Sequence, residues 1–542
     1  MERRVFKFFY MTNNKKLQVW LPLLFSITLI AGMFIGYKMR DGIPGKSFFY
    51  TEKRRPIQEV MDLIQRKYVD DVNLNMIADS GIQAMLLQLD PHSAFIPASD
   101  VDRVNEDING SFFGIGIEFN LIQDTLHVVS VLKDGPSFAA GLKTGDKILK
   151  AGDSAISGTK VDTERIRKLL RGPLGSDVNI TLLRDSKKMS FVVKRGIIPL
   201  VSLDAAYMID KTIGYIRLNR FSTKTYREFM ISLEDLKKKG MQKLILDLRD
   251  NGGGVLEEAV EIADEFLSGD KLITYTEGKH TAKKEYRCRR EGQFEKGELV
   301  VLANEGTASA SEILLGALQD WDRATIVGRR SFGKGLVQDQ YTLSDNSALR
   351  LTIARYYTPA GRSIQRPYTK GKNAYYNEVY NRYTDGEMVS ADSVKNDTTK
   401  IFKTLVTGKK IFGGGGISPD YFVAADTSKM GLVTAKLYSK SILTDYGYRY
   451  FLLHPTLQET YKTTEEFVKS FNITPENWQL LESMAAKDSI SLSGISEKER
   501  TYLANSLKMS VARQLYRSEG YFETMNVDDA NVKKAIEILI KN

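Results

Sequence analysis

Four stretches of this chain carry residue types at spacings that suit chemistry. Asn304-Glu305-Gly306-Thr307-Ala308-Ser309-Ala310-Ser311-Glu312 gathers three hydroxyls between an apolar run, ELVVLA, and a helical one, ILLGALQD. Ser309 and Glu312 have capping-box spacing, which by itself explains hydroxyls at a helix start. Arg249-Asp250-Asn251-Gly252-Gly253-Gly254 follows the apolar run KLILDL and precedes a helical pattern. Such a turn points N–H groups and a helix dipole at negative charge, so it reads as a dinucleotide loop, an oxyanion hole or a plain turn. Its glycines do not have the G-x-G-x-x-G spacing that a dinucleotide loop needs. Gly328-x-x-x-x-Gly333-Lys334-Gly335 nearly spells a phosphate-binding P-loop. Against that, Gly335 stands where a P-loop has a Ser or Thr for magnesium, and LVQDQYTL after it reads as a strand instead of the required helix. Last, Phe113-Gly114-Ile115-Gly116-Ile117 alternates apolar residues with glycines ahead of a strand, which can turn backbone N–H groups toward one anion.

Taken together, the first three stretches suit a nucleophilic hydroxyl, which needs a base, an oxyanion site and a reachable carbonyl. The four histidines, His92, His127, His280 and His454, are scattered and none lies in these stretches, so a Ser-His-Asp triad is not indicated. A Ser-Lys pair is physically available. Lys334 lies between glycines that let its backbone pack closely. If 334–341 is extended, Lys334, Leu336 and Gln338 share one face, and Gln338 can hold the lysine amine. The residues alone leave Ser309, Thr307 and Ser311 open as nucleophile.

These groups must be positioned by the elements around them. Residues 200–370 alternate strand-like runs (TIGYIRL, KLILDLRD, ELVVLAN, ATIVGRR) with helix-like ones (YREFMISLEDLKKKG, VLEEAVEIADEFLSG, SASEILLGALQD), which predicts an α/β core. Residues 109–196 alternate short β-like runs with glycine turns around one helical run, VDTERIRKLLRG. Residues 56–108 carry apolar residues at helical spacing until Pro91 breaks the pattern in LDPHSAFIP. Residues 366–410 form a tyrosine-rich insertion, and 425–542 read as helices without a chemical motif. At the N-terminus, Leu17–Tyr37 runs for about 21 residues without a charge, long enough to span a bilayer. A signal-peptide core is shorter, about 7–15 residues, and ends in a small-x-small site that is not evident here. Basic residues flank the span on both sides, so charge barely orients it.

The Phe113–Ile117 pattern, with Gly135-Pro136-Ser137 and GLKTGDKIL downstream, resembles a PDZ domain. That resemblance implies a peptide groove between the strand after the glycines and a helix near 162–171. The order RDNGGG, TASASEILLGALQD, GRRSFGKGLVQ, TPAGRSIQ resembles the C-terminal processing (tail-specific) peptidases, over about residues 56–420. By that resemblance Ser309 is the nucleophile, Lys334 the general base and Gln338 its orienter. The N–H of Ala310 with one from Gly253 or Gly254 forms the oxyanion hole, and Phe113, Gly114, Ile115, Gly116 and Ile117 bind a substrate carboxylate.

The expected fold is multidomain α+β. It comprises a cytoplasmic tail (1–16), a membrane anchor (17–37), a helical segment (56–108), a PDZ-like β domain (109–196), an α/β Ser-Lys peptidase core (197–424, with the insertion 366–410) and a helical C-terminal region (425–542). The expected activity is a membrane-anchored serine endopeptidase that needs no metal or cofactor and cuts protein C-terminal tails through an acyl-enzyme. It is expected in the inner membrane, single-pass, with its bulk in the periplasm, alone or with a homo-oligomeric or adaptor partner. An inactive PDZ scaffold and a P-loop nucleotide-binding protein are the alternatives. Nucleic acid is not an expected partner despite the net charge of +10, because acids interleave with the basic residues almost everywhere. The single cysteine, Cys288, excludes an intramolecular disulfide and a cysteine-based zinc site.

Overall fold

The computed structural model describes residues 15–40, 55–158, 162–394, 399–426 and 430–541. The tail at 1–14, most of the linker before residue 55 and part of the insertion therefore lie outside the described residues. The chain divides into two units, residues 1–78 and 79–542. The first contains the helix Lys15–Arg40, whose stretch Trp20–Lys38 is long and apolar enough to cross a membrane. Its second helix, Pro56–Lys67, buries no residue, although Ile57, Val60, Met61 and Ile64 stand at the expected helical spacing.

The second unit holds the candidate chemistry. Its central six-stranded sheet has the order Leu203–Met208, Ile213–Leu218, Lys243–Asp247, Glu298–Ala303, Thr325–Gly328, Tyr421–Phe422. The first pair is antiparallel and the others are parallel. The parallel strands are near-continuous apolar runs because both faces are covered. On one face, Leu244, Leu246 and Val301 pack with Phe229, Leu233, Ile262 and Ile313 from the helices Thr225–Lys238, Leu256–Asp264 and Ala310–Asp320. On the other, Ile245, Val300 and Leu302 pack with Val532, Ala535 and Leu539 of the last helix, Ala530–Lys541. A division at residue 425 thus separates that helix from the sheet it covers. An apolar strand pattern cannot show which distant segment supplies the second layer.

A five-stranded sheet lies beside the first. Its long strand Ala348–Tyr357 pairs with Ala94–Ile96, Leu272–Glu277 and Leu336–Thr342. LVQDQYTL is accordingly a strand, as expected, and Gly335 opens no helix. That geometry removes the P-loop reading.

The PDZ-like region is a sheet whose edge strand, Ile117–Ile122, pairs among the described residues only with Thr125–Val131. Its helix Thr163–Leu170 buries Ile166 and Leu170 in the core against which Ile117 and Phe119 also pack. Helices of the C-terminal region dock on this sheet: Asn120 Nδ2 donates to Asp445 at 2.8 Å and Gln514 Nε2 to the Val129 carbonyl at 2.9 Å.

Candidate active site

The strands Lys243–Asp247 and Glu298–Ala303 are parallel neighbours, so the loops after them emerge side by side at the carboxyl end of the sheet. One is Arg249–Gly254 and the other Asn304–Ser309. Asn304 Oδ1 accepts from Asp250 N–H at 2.9 Å and Asn304 Nδ2 donates to Asp250 Oδ1 at 2.7 Å, which ties the two together. Beneath them, burial opposes ionisation of Asp247. Arg249 and Arg217 outweigh it and hold the carboxyl below the ordinary carboxylate range.

The three hydroxyls are not equivalent. Thr307 and Ser311 are fully buried and donate to the backbone carbonyls of Leu248 and Asn251, both at 2.9 Å. Ser309 is half-buried, at the N-cap of the helix Ala310–Asp320, with φ 57° and ψ −118°. A left-handed φ on a serine is strain held by its surroundings. Gly253 presses against it: a Cβ at residue 253 would lie 2.7 Å from Ser309 Cβ and 2.8 Å from Ala310 N. Only glycine permits that approach. The Gly253 N–H donates to Asn251 Oδ1 at 2.9 Å. The N–H groups of Gly254 and Ala310 have no acceptor among the described residues.

Lys334 comes from the loop that leads into the second sheet. Its amine makes no hydrogen bond or ion pair with a described residue. Burial first, and then the Arg350 charge, push its pKa below the ordinary lysine value, against weaker pulls from Glu312 and Asp90. Gln338 follows on the strand Leu336–Thr342. That strand keeps its alternation, because the register jump opposite Val337 and Gln338 leaves Ile353 of the partner strand as the extra residue. The Gln338 Nε2 is buried without a partner among the described residues.

Two buried side chains join the Ser309 and Lys334 segments. Glu312 accepts from Ser309 N–H (3.0 Å), Gly333 N–H (2.7 Å), Lys334 N–H (2.8 Å) and Ser331 Oγ–H (2.5 Å). Burial still moves its pKa up, against those four bonds. Tyr356 Oη lies 2.8 Å from the Lys334 carbonyl oxygen and 3.2 Å from that of Ser309. The capping-box spacing accounts for only one of the four bonds to Glu312. No local pattern signals the other three or the tyrosine.

A histidine does approach the site, from the turn that ends the first helical pattern. Asp90 Oδ1 accepts from His92 N–H and Ser93 N–H, both at 2.8 Å, and His92 Nε2 lies 2.9 Å from Tyr375 Oη. Burial and the Lys334 charge push the imidazole pKa down to about 4. The signal available in the sequence was the Asp-Pro-His-Ser turn itself, whose aspartate bonds its own backbone two residues on.

The PDZ-like glycines behave differently along their length. Phe113 and Gly114 lie in a two-stranded ladder with Gly196–Pro199, and Phe113 is exposed. Ile115 and Gly116 follow it, buried, with Gly116 at φ 74°, and Ile117 opens the edge strand.

The family model "Peptidase family S41" matches residues 212–371, and "PDZ domain" matches 114–194. A "Carboxy-terminal-processing protease" of Bartonella bacilliformis is 35% identical over 313 residues, covering 57% of this chain and 71% of that protein. The chain belongs to peptidase family S41. It is a serine-type peptidase with a PDZ domain. A "Probable CtpA-like serine protease" of Staphylococcus haemolyticus is 30% identical over 394 residues, covering 72% of this chain and 77% of that one. Among solved structures, a photosystem II D1 C-terminal processing protease shares 25% identity with a TM-score of 0.36, over 71% of this chain and 95% of that one. A family of unknown function matches residues 433–517, in the helical region that docks on the PDZ sheet.

If Glu312 joins the two segments, Glu312→Gln turns an acceptor into a donor facing N–H groups and leaves at least one unsatisfied. The expected cost is about 1–3 kcal/mol per stranded group, read as a lower thermal midpoint of the full-length protein. An unchanged midpoint would show that the carboxylate does not join them.

Proposed function

We propose that this S41 peptidase cleaves peptide bonds near protein C-termini through an acyl-enzyme, with Ser309 as nucleophile, Lys334 as general base and Gln338 as its orienter. The observation that carries the reading is the pairing of a strained serine at a helix N-terminus with a buried lysine of lowered pKa, their segments held by one carboxylate and one phenol. A neutral lysine amine takes the serine proton as Oγ attacks the carbonyl. The developing oxyanion meets the unengaged N–H of Ala310 and that of Gly254. Gly253 serves if its bond to Asn251 opens. The alternative of an inactive scaffold is disfavoured by the intact set Ser309, Lys334 and Gln338.

Ser309→Ala and Lys334→Ala are each expected to abolish cleavage of an unstructured peptide, with the double variant no worse than either single one, since the two act as a unit. Wild-type turnover by Ser309→Ala would sink the assignment. The pH dependence has a definite sign. Lys334 must be neutral to act, and its pKa is lowered, so activity falls as pH drops through that value and persists below the ordinary lysine range near 10.4. A profile flat from about pH 5 to 9 argues against a titrating lysine base.

The tail preference is assigned to the PDZ domain. The edge strand Ile117–Ile122 is free to take an extended peptide by β-augmentation, and the Phe113–Ile117 backbone is assigned the terminal carboxylate. Within it, Ile115–Ile117 is the better-suited part, because Phe113 and Gly114 already sit in a ladder. Amidating a substrate's C-terminus is expected to weaken recognition by about 1.5–3 kcal/mol, the worth of a charge-assisted hydrogen bond. Equal kcat/KM for free-acid and amidated peptides would leave this domain a tether.

The helix Lys15–Arg40 is assigned as an uncleaved inner-membrane anchor with the bulk of the chain in the periplasm. The full-length protein is then expected to stay in the membrane fraction through high salt and alkaline carbonate. Release of an N-terminally shortened mature form would identify a signal sequence instead.

A further inference from the structure

The insertion after the matched family segment packs onto the loop that carries Lys334. The family match ends at residue 371, and the helix Lys372–Thr384 begins at once. Tyr375, Glu378 and Arg382 recur on one face at helical spacing, and Tyr375 and Arg382 are 2% and 3% exposed. Burying an arginine is costly unless its donors are met. Here they meet backbone: Arg382 Nη1 donates to the carbonyls of Arg330 (3.2 Å) and Ser331 (2.9 Å), and Nη2 to that of Phe332 (3.3 Å).

The same loop is held from its other side. Its N–H groups at Gly333 and Lys334 go to Glu312, and that of Phe332 to the Thr307 carbonyl at 2.9 Å. The segment 330–334 thus lies between a carboxylate that takes its N–H groups and a guanidinium that takes its carbonyls. Glu378 holds the guanidinium in turn, accepting from Arg382 Nε at 3.0 Å and from Nη2 at 3.1 Å. It also pairs with Arg330 at 3.0 Å and with Arg366. Tyr375 reaches the residue after Lys334 through Gln365, whose Nε2 lies 3.4 Å from Tyr375 Oη and whose Oε1 accepts from Gly335 N–H at 2.8 Å.

From this geometry we propose that the helix Lys372–Thr384 is a built-in clamp that positions the Lys334 loop, with Arg382 as its positioning residue. The proposal rests on reading Lys334 as the general base. The clamp touches neither substrate nor reacting atoms. It fixes where the lysine amine sits and keeps water from it. A base displaced by about 1 Å costs on the order of 100-fold in rate, so a loop held by three carbonyl bonds is a place where rate is set.

The test uses the full-length protein in detergent with a fluorogenic unstructured peptide. Active sites are titrated with a fluorophosphonate. Arg382→Met is expected to lower kcat per titrated site about tenfold or more with KM within about twofold. It should also move the acid limb of the pH profile upward, as water reaching Lys334 returns its pKa toward the ordinary value. Arg382→Lys, which keeps the charge but offers no planar fork, should fall between. If Arg382→Met does not fold, Glu378→Gln and Arg382→Lys carry the test, with smaller changes in the same directions. Folded, titratable variants with wild-type kcat per site and an unmoved acid limb would overturn the clamp and leave Arg382 a structural residue. Ser309→Ala and Lys334→Ala run alongside. Turnover by either would overturn the dyad reading itself, whatever Arg382 does.

Discussion

The carboxylate of Glu312 is the point on which the arrangement of the site depends. Ser309 belongs to a helix that starts at the carboxyl end of one sheet, and Lys334 to the loop that feeds another. Nothing covalent brings them together within reach. A fully buried carboxylate is a costly object, and it stays there because four donors converge on it. One donor comes from the Ser309 segment and three from the Lys334 segment, so satisfying the carboxylate and joining the segments are the same event. Tyr356 repeats the device with opposite polarity, as a buried hydroxyl between two carbonyls. The backbone of both segments is held, while the buried lysine amine has no partner among the described residues.

That separation matters for the chemistry. A lysine whose amine was already salt-bridged would be held in its charged form. In this chain the strong pairs around Lys334 are made by its backbone and its neighbours, and Glu378 and Glu387 are taken by arginines. Arg330, Arg366 and Arg382 meet Glu378 and Glu387, Arg330 and Arg382 also donate to loop carbonyls, and the Arg366 guanidinium lies over the rings of Phe332 and Tyr375. The loop backbone is therefore held on both sides, and no described residue pairs with the lysine amine. His92, driven to its neutral form by the same burial and by the lysine charge, adds a hydrogen bond to the wall without adding a competing cation.

The sheet beneath has its own constraint. Its two apolar faces need two layers, and the second comes from the last helix of the chain. The C-terminal helices between also touch the PDZ sheet through Asp445 and Gln514. One region thus bears on both the core and the domain proposed to read substrate tails.

The residue order by itself determined a great deal. Strand and helix identity in the core was legible because buried parallel strands are uniform apolar runs and the helices between them keep a 3.6 period. The glycine-rich turns showed where backbone would be bare, and the absence of a helix after Gly335 was readable from LVQDQYTL. Ser309, Lys334 and Gln338 came from motif order. The spacing alone left three hydroxyls equal and the motif order chose Ser309; the tertiary structure adds that Thr307 and Ser311 are buried against the carbonyls of Leu248 and Asn251. Glu312 read as a helix cap, because the sequence shows a capping partner three residues away and cannot show a loop folding onto it. The roles of Arg382 and His92 and the packing of the last helix were equally silent. Each acts on residues tens to hundreds of positions distant, through hydrogen bonds and burial that exist only once the chain has closed on itself. Local pattern records what a segment prefers, while the partners of a buried charge are decided by what the whole fold brings to it.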